Sequence, residues 1–419
     1  MKIYGRNKYG GEVIGAGGYG CVFKPALKCV NQKKRTNGIS KMSVNNESEK
    51  EWNELNRVKK YIEKIPDYKK YFLVSGLNRC RPAKLTKKDK ENLYRCNHLF
   101  GSIIDINPDN INNNLDAFHI INMPYGGKNL HNILEHREIS ISKINKILIN
   151  LLLNGIIPMN RLNIYHFDVK ADNMLYNKNL VRIIDFGEMG ISTPEQIIPD
   201  TLFNRMILFN NPFSRILFGS IFDNFLMDYL ETNPLSSNTQ FLFKELHLLA
   251  LTFYTRFKSQ FGEGHEKFIN TAIILNIFRL NKSFAMSEYN ILDNLVSIYC
   301  AKILMKYLDI DKKRFDSEKY FREVYSKNVD VYGFIMSYVP IIMQNPYNLK
   351  KNYNKKQEII VANIIIKYCL SHTYADIPIN ISELINDLKE LNMEKKSIKT
   401  TKSKKREKEK KTKKNNYKR

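Results

Sequence analysis

The sequence lacks any run of about 18 apolar residues, the length that a membrane-spanning helix needs. Its most apolar stretch, residues 147–157, is interrupted by Asn150, Asn154 and Gly155. The first residues, MKIYGRNKYGGE, also lack the apolar core of a secretory signal. These absences predict a chain with no transmembrane segment, located in the cytosol or nucleus of the cell that makes it.

Cysteine is scarce, and no two cysteines form a Cys-x-x-Cys pair. The chain has six, at Cys21, Cys29, Cys80, Cys96, Cys300 and Cys369. Scattered cysteines of this kind are typical of reduced, intracellular thiols and not of a disulfide frame. Cys96 and His98 lie close together, but two candidate ligands do not make a tetrahedral zinc site. We therefore expect free thiols.

Acidic residues are few beside basic ones, with 42 Asp and Glu against 67 Lys and Arg and a net charge of +25. Residues 395–419 hold 14 Lys and Arg against Glu407 and Glu409, which is +12 of that total. A segment with so little to bury predicts a disordered basic tail over 394–419. Two roles stay open: contact with nucleic acid or an anionic surface, or solubility without a specific partner. The basic body hints at an acidic substrate.

The spacing of apolar residues changes along the chain. Residues 12–24 predict two strands around a glycine-rich turn, and residues 46–64 predict a helix. Residues 65–120 are irregular and polar, and predict strands separated by long loops. A long amphipathic helix is expected from Ser140, strands over IYHF and VRIIDF follow it, and residues 220–390 read as mostly helical. The pattern predicts an α+β chain, β-rich first and α-rich afterwards.

A glycine-rich motif occupies the first expected hairpin. It matches G-x-G-x-x-G-x-V, follows Ile14, and consists of Gly15, Ala16, Gly17, Gly18, Tyr19, Gly20, Cys21 and Val22. Glycines let the backbone approach phosphate oxygens and offer N–H donors to them. A dinucleotide-binding turn uses similar spacing, but a helix would have to follow it at once. Pro25 argues against that helix, so a β-hairpin is favoured.

A second motif, HFDVKADN, combines three functional groups in one loop. Phosphoryl transfer needs a carboxylate beside the acceptor hydroxyl, a cation near the moving phosphate and an oxygen ligand for magnesium. Asp168, Lys170 and Asn173 supply these groups at compact spacing. A third motif, Asp185-Phe186-Gly187, follows an apolar strand, where its carboxylate can bridge magnesium to phosphates.

In this order the motifs resemble those of eukaryotic-type protein kinases, over roughly residues 12–230. Lys170 resembles the serine/threonine branch. Composition and the divergence after DFG resemble the protein kinases of giant, mimivirus-like large cytoplasmic DNA viruses, which implies the host cytoplasm or the virion. The resemblance implies a two-lobed fold with a small antiparallel N-lobe over 1–125 and a mainly helical C-lobe with a divergent extension over 126–393.

The resemblance also implies an activity: transfer of the γ-phosphate of ATP, bound with Mg²⁺, to a serine or threonine hydroxyl of a protein substrate. Asp168 then corresponds to the catalytic base, and Lys170 to the group that steadies the γ-phosphate. Asn173 and Asp185 correspond to the magnesium ligands, and the glycine turn covers the phosphates.

The remaining nucleotide contacts follow from the same resemblance. Lys41, on an expected strand, is favoured over the loop residues Lys33 and Lys34 as the lysine that pairs with the α- and β-phosphates. Its partner on the first helix should come from four glutamates, of which Glu54 is favoured for its place at the edge of the apolar stripe. The four are Glu47, Glu49, Glu51 and Glu54.

The segment INMPYGG resembles the hinge between kinase lobes, with Met123 as the gatekeeper. Pro124 has no N–H group to offer to adenine. Gly126 would supply that N–H two residues later. A plain turn before a helix is an equally compatible interpretation of this segment.

Two features depart from the kinase pattern. Phe167 replaces the arginine that usually gathers a phosphorylated activation loop, which suggests activity that does not wait for loop phosphorylation. No clear A-P-E is present, since residues 193–195 come too soon after Gly187, and residues 211–214 are the alternative end of a rebuilt segment.

Three other functions compete with a protein kinase. A small-molecule phosphotransferase of the aminoglycoside- or choline-kinase type would share the aspartate and asparagine. A non-catalytic kinase-fold protein would bind nucleic acid or a partner. A nucleic-acid-binding protein dominated by its basic tail is the alternative that is not an enzyme.

Overall fold

The computed structural model of the chain describes residues 11–17, 20–34, 37–96, 106–236, 238–281, 291–343 and 353–392. A small antiparallel sheet comes first and a larger, mainly helical part follows, which confirms the expected α+β character. The basic tail lies outside the described residues. Within the described part of the chain, no helix is both long enough and apolar enough to cross a membrane.

The first sheet has five antiparallel strands in the order β1-β2-β3-β5-β4. These strands are β1 Glu12–Gly17, β2 Gly20–Lys24, β3 Ile39–Val44, β4 Asn78–Cys80 and β5 Phe118–Met123. β1 and β2 form the hairpin that the glycine motif predicts, with Gly17 opposite Gly20. Along β3 the side chains of Ser40, Met42 and Ser43 are buried, and the other three are partly exposed.

Helix α1, Asn45–Ile62, follows β3 directly and confirms the helix expected over 46–64. Between α1 and β5 the described chain forms β4 and several short 3₁₀ turns, so the irregularity expected over 65–120 is confirmed there. The turns are Tyr68–Lys70, Leu93–Cys96, Ile111–Asn113 and Leu115–Ala117.

The later strands are short. β6 Lys128–Asn129, β8 Met174–Asn177 and β9 Leu180–Ile183 form an antiparallel sheet in the order β6-β8-β9. β7 Ile164–Tyr165 pairs with β10 Gly190–Ile191, and β11 Leu308–Asp309 pairs with β12 Arg314–Phe315. The loop that carries Asp168 lies between β7 and β8, and the turn that carries Asp185 lies between β9 and β10.

Helices make up most of the remainder. They are α2 Leu130–Glu135, α3 Ile141–Leu151, α4 Ile157–Arg161, α5 Ser220–Thr232, α6 Thr239–Phe261, α7 Glu266–Phe268, α8 Leu275–Leu280, α9 Ile291–Tyr307, α10 Ser317–Tyr320, α11 Ser326–Met336, α12 Val339–Ile342, α13 Lys355–Ile365 and α14 Ile381–Lys389. A π-helical turn, Leu152–Ile156, joins α3 to α4, and further π turns span Ile269–Ile274, Phe321–Tyr325 and Ile366–Leu370. Other 3₁₀ turns span Ala171–Asn173, Asp200–Leu202, Phe213–Leu217, His372–Tyr374 and Glu390–Asn392.

The buried side chains form two apolar clusters. The smaller cluster lies within the first sheet and the loops that cover it. The larger cluster fills the helical part and includes Val58 and Ile62 of α1 together with Ile144, Leu148 and Leu151 of α3. Helix α1 therefore packs its apolar side toward the helical part while its first turn continues from the sheet.

The expectation of free thiols is wrong for four cysteines. Cys21 is bonded to Cys96, and Cys29 to Cys80, across sequence separations of 75 and 51 residues. Sequence spacing gave no sign of these pairs because the folded sheet alone brings them together. The two other cysteines, Cys300 and Cys369, are free and buried.

Candidate functional site

The carboxylate of Asp168 is the centre of a dense group of hydrogen-bond donors. The Lys170 Nζ lies 2.9 Å from its Oδ1 and 2.8 Å from its Oδ2. The Asn173 Nδ2 donates to Oδ2 at 2.8 Å, and the Asn210 Nδ2 donates to Oδ1 at 2.9 Å. An ionised carboxylate has about four acceptor sites, so these contacts use its full capacity.

The backbone that carries Asp168 is held by Asp330, a fully buried residue of α11. Its two carboxylate oxygens each accept a backbone N–H, from His166 and from Phe167, at 2.9 Å. The Asn160 Nδ2 adds a third bond at 2.7 Å. Burial raises the pKa of Asp330. Phe167 has a φ of 59°, which few side chains adopt, so these contacts stabilise an otherwise unfavourable backbone.

The Asp185 motif lies directly beside this loop. The Ile184 N–H donates to the Asn173 carbonyl oxygen at 2.9 Å, which joins the strand before Asp185 to the loop that carries Asp168. Asp185 is exposed and has a φ of 62°, a conformation that aspartate tolerates better than most residues. Phe186 is buried against Phe72 and His166, and this packing fixes the turn that presents the carboxylate.

Lys41 lies on β3, as its strand context predicts, whereas Lys33 and Lys34 are exposed and outside the strands. Its Nζ pairs with the Oε2 of Glu51 at 2.8 Å. The expectation that Glu54 is the partner is therefore wrong.

Glu54 lies one turn further along α1 and pairs with Arg57 at 3.7 Å. Burial raises the pKa of Glu54, and the nearby negative charge of Asp185 adds to that effect. The helix thus places one glutamate at Lys41 and the next one toward Asp185.

Gly20, the last glycine of the motif, lies against Lys41 of the neighbouring strand. A Cβ added at Gly20 would come 2.8 Å from the Met42 carbonyl oxygen and 3.2 Å from the Lys41 Cε, so only glycine allows this close approach. At Gly15 the nearest heavy atom to such a Cβ would be 3.8 Å away, which leaves that position open. Gly18 and Tyr19 lie outside the described residues.

The segment expected to form a hinge links the first sheet to β6. Met123 ends β5 and pairs with Ile39 in the sheet. A Cβ at Gly126 would collide with the side chain of Leu175 on β8 and would come within 3.1 Å of Leu73. Gly126 therefore lets the chain lie against apolar side chains of the second sheet.

A buried arginine, Arg215, is linked to the loop of Asp168, although no arginine directly precedes Asp168 in the sequence. Arg215 is 2% exposed, and its Nη1 donates to the Asn211 Oδ1 at 2.9 Å. Asn211 in turn donates to the Phe167 carbonyl oxygen at 2.8 Å, and the Arg215 Nη2 lies 3.5 Å from the Glu188 Oε2. The segment just after Asp185 is thereby connected to the loop of Asp168 through internal contacts.

Sequence reasoning found the residues of the local motifs and missed the residues that support them. Asp330, Asn210 and Arg215 belong to none of the motifs, and they follow Asp168 by 42 or more positions. Asn211 lies in the segment 211–214 that the sequence offered as the end of a rebuilt activation segment. The signal available for the others was a polar residue within apolar surroundings, which is too common to single them out.

The donor set at Asp185 and Asn173 fits a magnesium ion bound with phosphate oxygens. Magnesium is commonly held by one or two carboxylates, with phosphates and waters completing its shell. The Asn173 Nδ2 faces Asp168, so its amide oxygen points elsewhere and is the atom suited to a metal. Among the residues that the structure describes, no group of three or more His, Cys, Asp or Glu could hold a metal by itself.

A scan against known protein families found no family model that matches the chain. A search of curated proteins found no similar sequence either.

Proposed function

We propose that the chain is a serine/threonine protein kinase, with a two-lobed fold that binds ATP and Mg²⁺ between the first sheet and the helical part. The observation that carries this proposal is the joining of two separate motifs. The Ile184–Asn173 backbone bond holds the chain just before Asp185 beside a loop in which Asp168 contacts both Lys170 and Asn173. A carboxylate base, a cation and oxygen ligands for magnesium are the groups that phosphoryl transfer requires.

The roles follow from chemistry and position. ATP would supply the γ-phosphoryl group, and Mg²⁺ would neutralise charge on its phosphates. Asp185 and the amide oxygen of Asn173 would hold the ion, and Lys41, fixed by Glu51, would contact the phosphates. Asp168 would orient the acceptor hydroxyl and accept its proton.

The contacts of Asp168 also favour an order of events. Lys170 occupies both carboxylate oxygens, so little acceptor capacity remains for a substrate hydroxyl. A triphosphate would attract the Lys170 ammonium away from Asp168, because phosphate carries more negative charge than one carboxylate. Nucleotide binding would thereby free Asp168 to accept the proton of the acceptor.

The proposal is tested with radiolabelled ATP, using casein and myelin basic protein as acceptors. We expect label transfer by the wild-type chain and a loss of at least about 100-fold in kcat for Asp168→Asn, as removal of a general base produces. Asp116→Asn, the same change at an exposed carboxylate that pairs with Arg81, is the matched control and should keep wild-type activity.

Phosphoamino-acid analysis of the product should give phosphoserine or phosphothreonine. Transfer that survives in Asp168→Asn would contradict the role of this carboxylate. Absence of transfer from the wild type to either protein or to the chain itself would contradict the kinase proposal.

A further inference from the structure

Asn210 makes a buried contact with Asp168 that the motifs do not account for. It is 1% exposed, and its Nδ2 donates to the Asp168 Oδ1 at 2.9 Å and to the Val169 carbonyl oxygen at 3.2 Å. Both partners are acceptors, so the amide must present its nitrogen to them, and the opposite orientation would set oxygen against oxygen. Both hydrogens of this NH₂ group are therefore directed at the loop that carries Asp168.

The oxygen of the same amide has no hydrogen-bond partner within the described chain. Buried polar atoms are rarely left unpaired, because their contacts with water are lost without replacement. A structural asparagine would be expected to use both ends of its amide. Here the amide oxygen has no partner among the described residues, whereas the amide nitrogen makes two hydrogen bonds to the loop.

The backbone of Asn210 is held from two sides. In the preceding residues, the Phe209 N–H donates to the His265 Nδ1 at 3.3 Å, and Ile207 accepts from the His265 N–H at 3.0 Å. On the other side, Gly333 of α11 approaches so closely that an added Cβ would lie 3.1 Å from the Asn210 carbonyl oxygen. The side chain can therefore act as a fixed donor.

We propose that Asn210 is a positioning residue for Asp168, which keeps the carboxylate oriented toward the acceptor hydroxyl once Lys170 has moved to the nucleotide. Without Lys170, each oxygen of Asp168 retains one amide donor: Asn210 on Oδ1 and Asn173 on Oδ2. One acceptor site on each oxygen then becomes free, and the plane of the carboxylate stays fixed. This inference rests on the proposed kinase function.

Two variants test it in the radiolabel assay with myelin basic protein. Asn210→Ala removes both bonds, and Asn210→Asp keeps the size of the side chain but replaces the donor by a second negative charge. We expect kcat to fall about 10- to 100-fold in Asn210→Ala, while the KM for ATP and the Kd of a fluorescent ATP analogue stay within about twofold. Asn210→Asp should lose more. As the pH is lowered, its kcat should begin to fall at a higher pH than that of the wild type, because neighbouring carboxylates resist joint ionisation.

Asn145→Ala is the matched control. Asn145 is also a fully buried amide, but it bonds the Leu388 carbonyl oxygen and the Tyr338 hydroxyl, away from Asp168. This control should lower Tm without lowering kcat at a temperature where it remains folded. A purely structural role for Asn210 would give the same result.

The outcomes separate the two proposals. An active wild type whose Asn210→Ala and Asn210→Asp variants are folded and keep kcat within about twofold would overturn the role of Asn210 and leave the kinase proposal standing. A wild type that binds nucleotide but transfers no label to myelin basic protein, casein or itself would overturn both.

Discussion

At the scale of single residues, Lys41 and Glu51 show what local patterns can and cannot determine. The strand context around Lys41 was sufficient to select it over Lys33 and Lys34. The choice between Glu51 and Glu54 was not available from periodicity, because residues three apart share one face of a helix. The choice depends on which turn of α1 lies beside Lys41. That position is set by how β3 and α1 pack together.

If the chain is the kinase proposed above, replacing Glu51 by glutamine should weaken its use of ATP. The variant removes the charge that holds the Lys41 Nζ at 2.8 Å, so we expect kcat/KM for ATP to fall on the order of tenfold, or about 1.4 kcal/mol. Steady-state kinetics with varied ATP measure this change.

Glu54→Gln is the sharpest comparison, since it carries the same substitution one helical turn away on a residue that pairs with Arg57. It should have a much smaller effect on kcat/KM for ATP, and Glu47→Gln, at a surface ion pair, should have none. Equal losses in Glu51→Gln and Glu54→Gln would show that the ion pair with Lys41 is not the reason for the effect.

The same limit applies to the centre of the site. Asp168, Lys170 and Asn173 lie within one short loop, so their proximity follows from the sequence itself. Asp185 required only the added expectation of a strand before it. Asn210 and Asp330 reach Asp168 and its loop through tertiary packing over long separations, and no periodic pattern encodes that packing.

At the scale of elements, the amphipathic helix expected from Ser140 is confirmed by α3. Ile144, Leu148 and Leu151 are buried, and the helix continues beyond them as expected. The π turn at Leu152–Ile156 was not predicted, because the same apolar residues fit an uninterrupted α-helix. Very short strands such as β7 were recognisable only by their place between motifs.

The turn between α6 and α7 provides a prediction about pH. Its His265 accepts the Phe209 N–H through Nδ1, which requires a neutral ring. Burial and the nearby positive charge of Lys170 lower the pKa of His265 below its usual value of 6.5.

The unfolded chain therefore takes up a proton at a higher pH than the folded chain does. The contribution of His265 to stability is complete above about pH 6.5 and is lost as the pH falls through the lower, folded-state pKa.

We expect His265→Asn to remove this loss, because an asparagine oxygen can accept the same N–H without titrating. Urea unfolding should show that, from about pH 7.5 to about pH 5.5, the free energy of unfolding falls more in the wild type than in the variant. His136→Asn, at an exposed ring, is the control and should keep the wild-type dependence. Parallel pH dependences for the wild type and His265→Asn would contradict the prediction.

At the scale of the whole molecule, the two disulfides connect the first sheet to the irregular chain that covers it. Cys96 closes a loop back to β2, and Cys80 on β4 closes a loop back to Cys29. These bonds gather the part of the chain with the least regular secondary structure. They also explain how a small apolar cluster can hold a sheet whose connections are long.

Alkylation with iodoacetamide in denaturant should therefore modify two cysteines without reductant and all six after reduction. In the loop-entropy picture, each bond restricts the unfolded chain by about 4 kcal/mol, and the nested loops make the two effects less than additive. Reduction should accordingly lower the Tm. Intact-mass spectrometry counts the adducts, and six adducts without reductant would contradict both pairings.

The contacts of Asp330 have a consequence for synthesis of the protein. The ribosome completes the Asp168 loop and the Asp185 turn long before it reaches the helix that anchors their backbone. Until that helix emerges, the N–H groups of His166 and Phe167 lack the carboxylate that accepts them in the folded chain. Nascent chains that end before α11 should thus contain every motif residue and still lack the carboxylate that anchors the Asp168 loop.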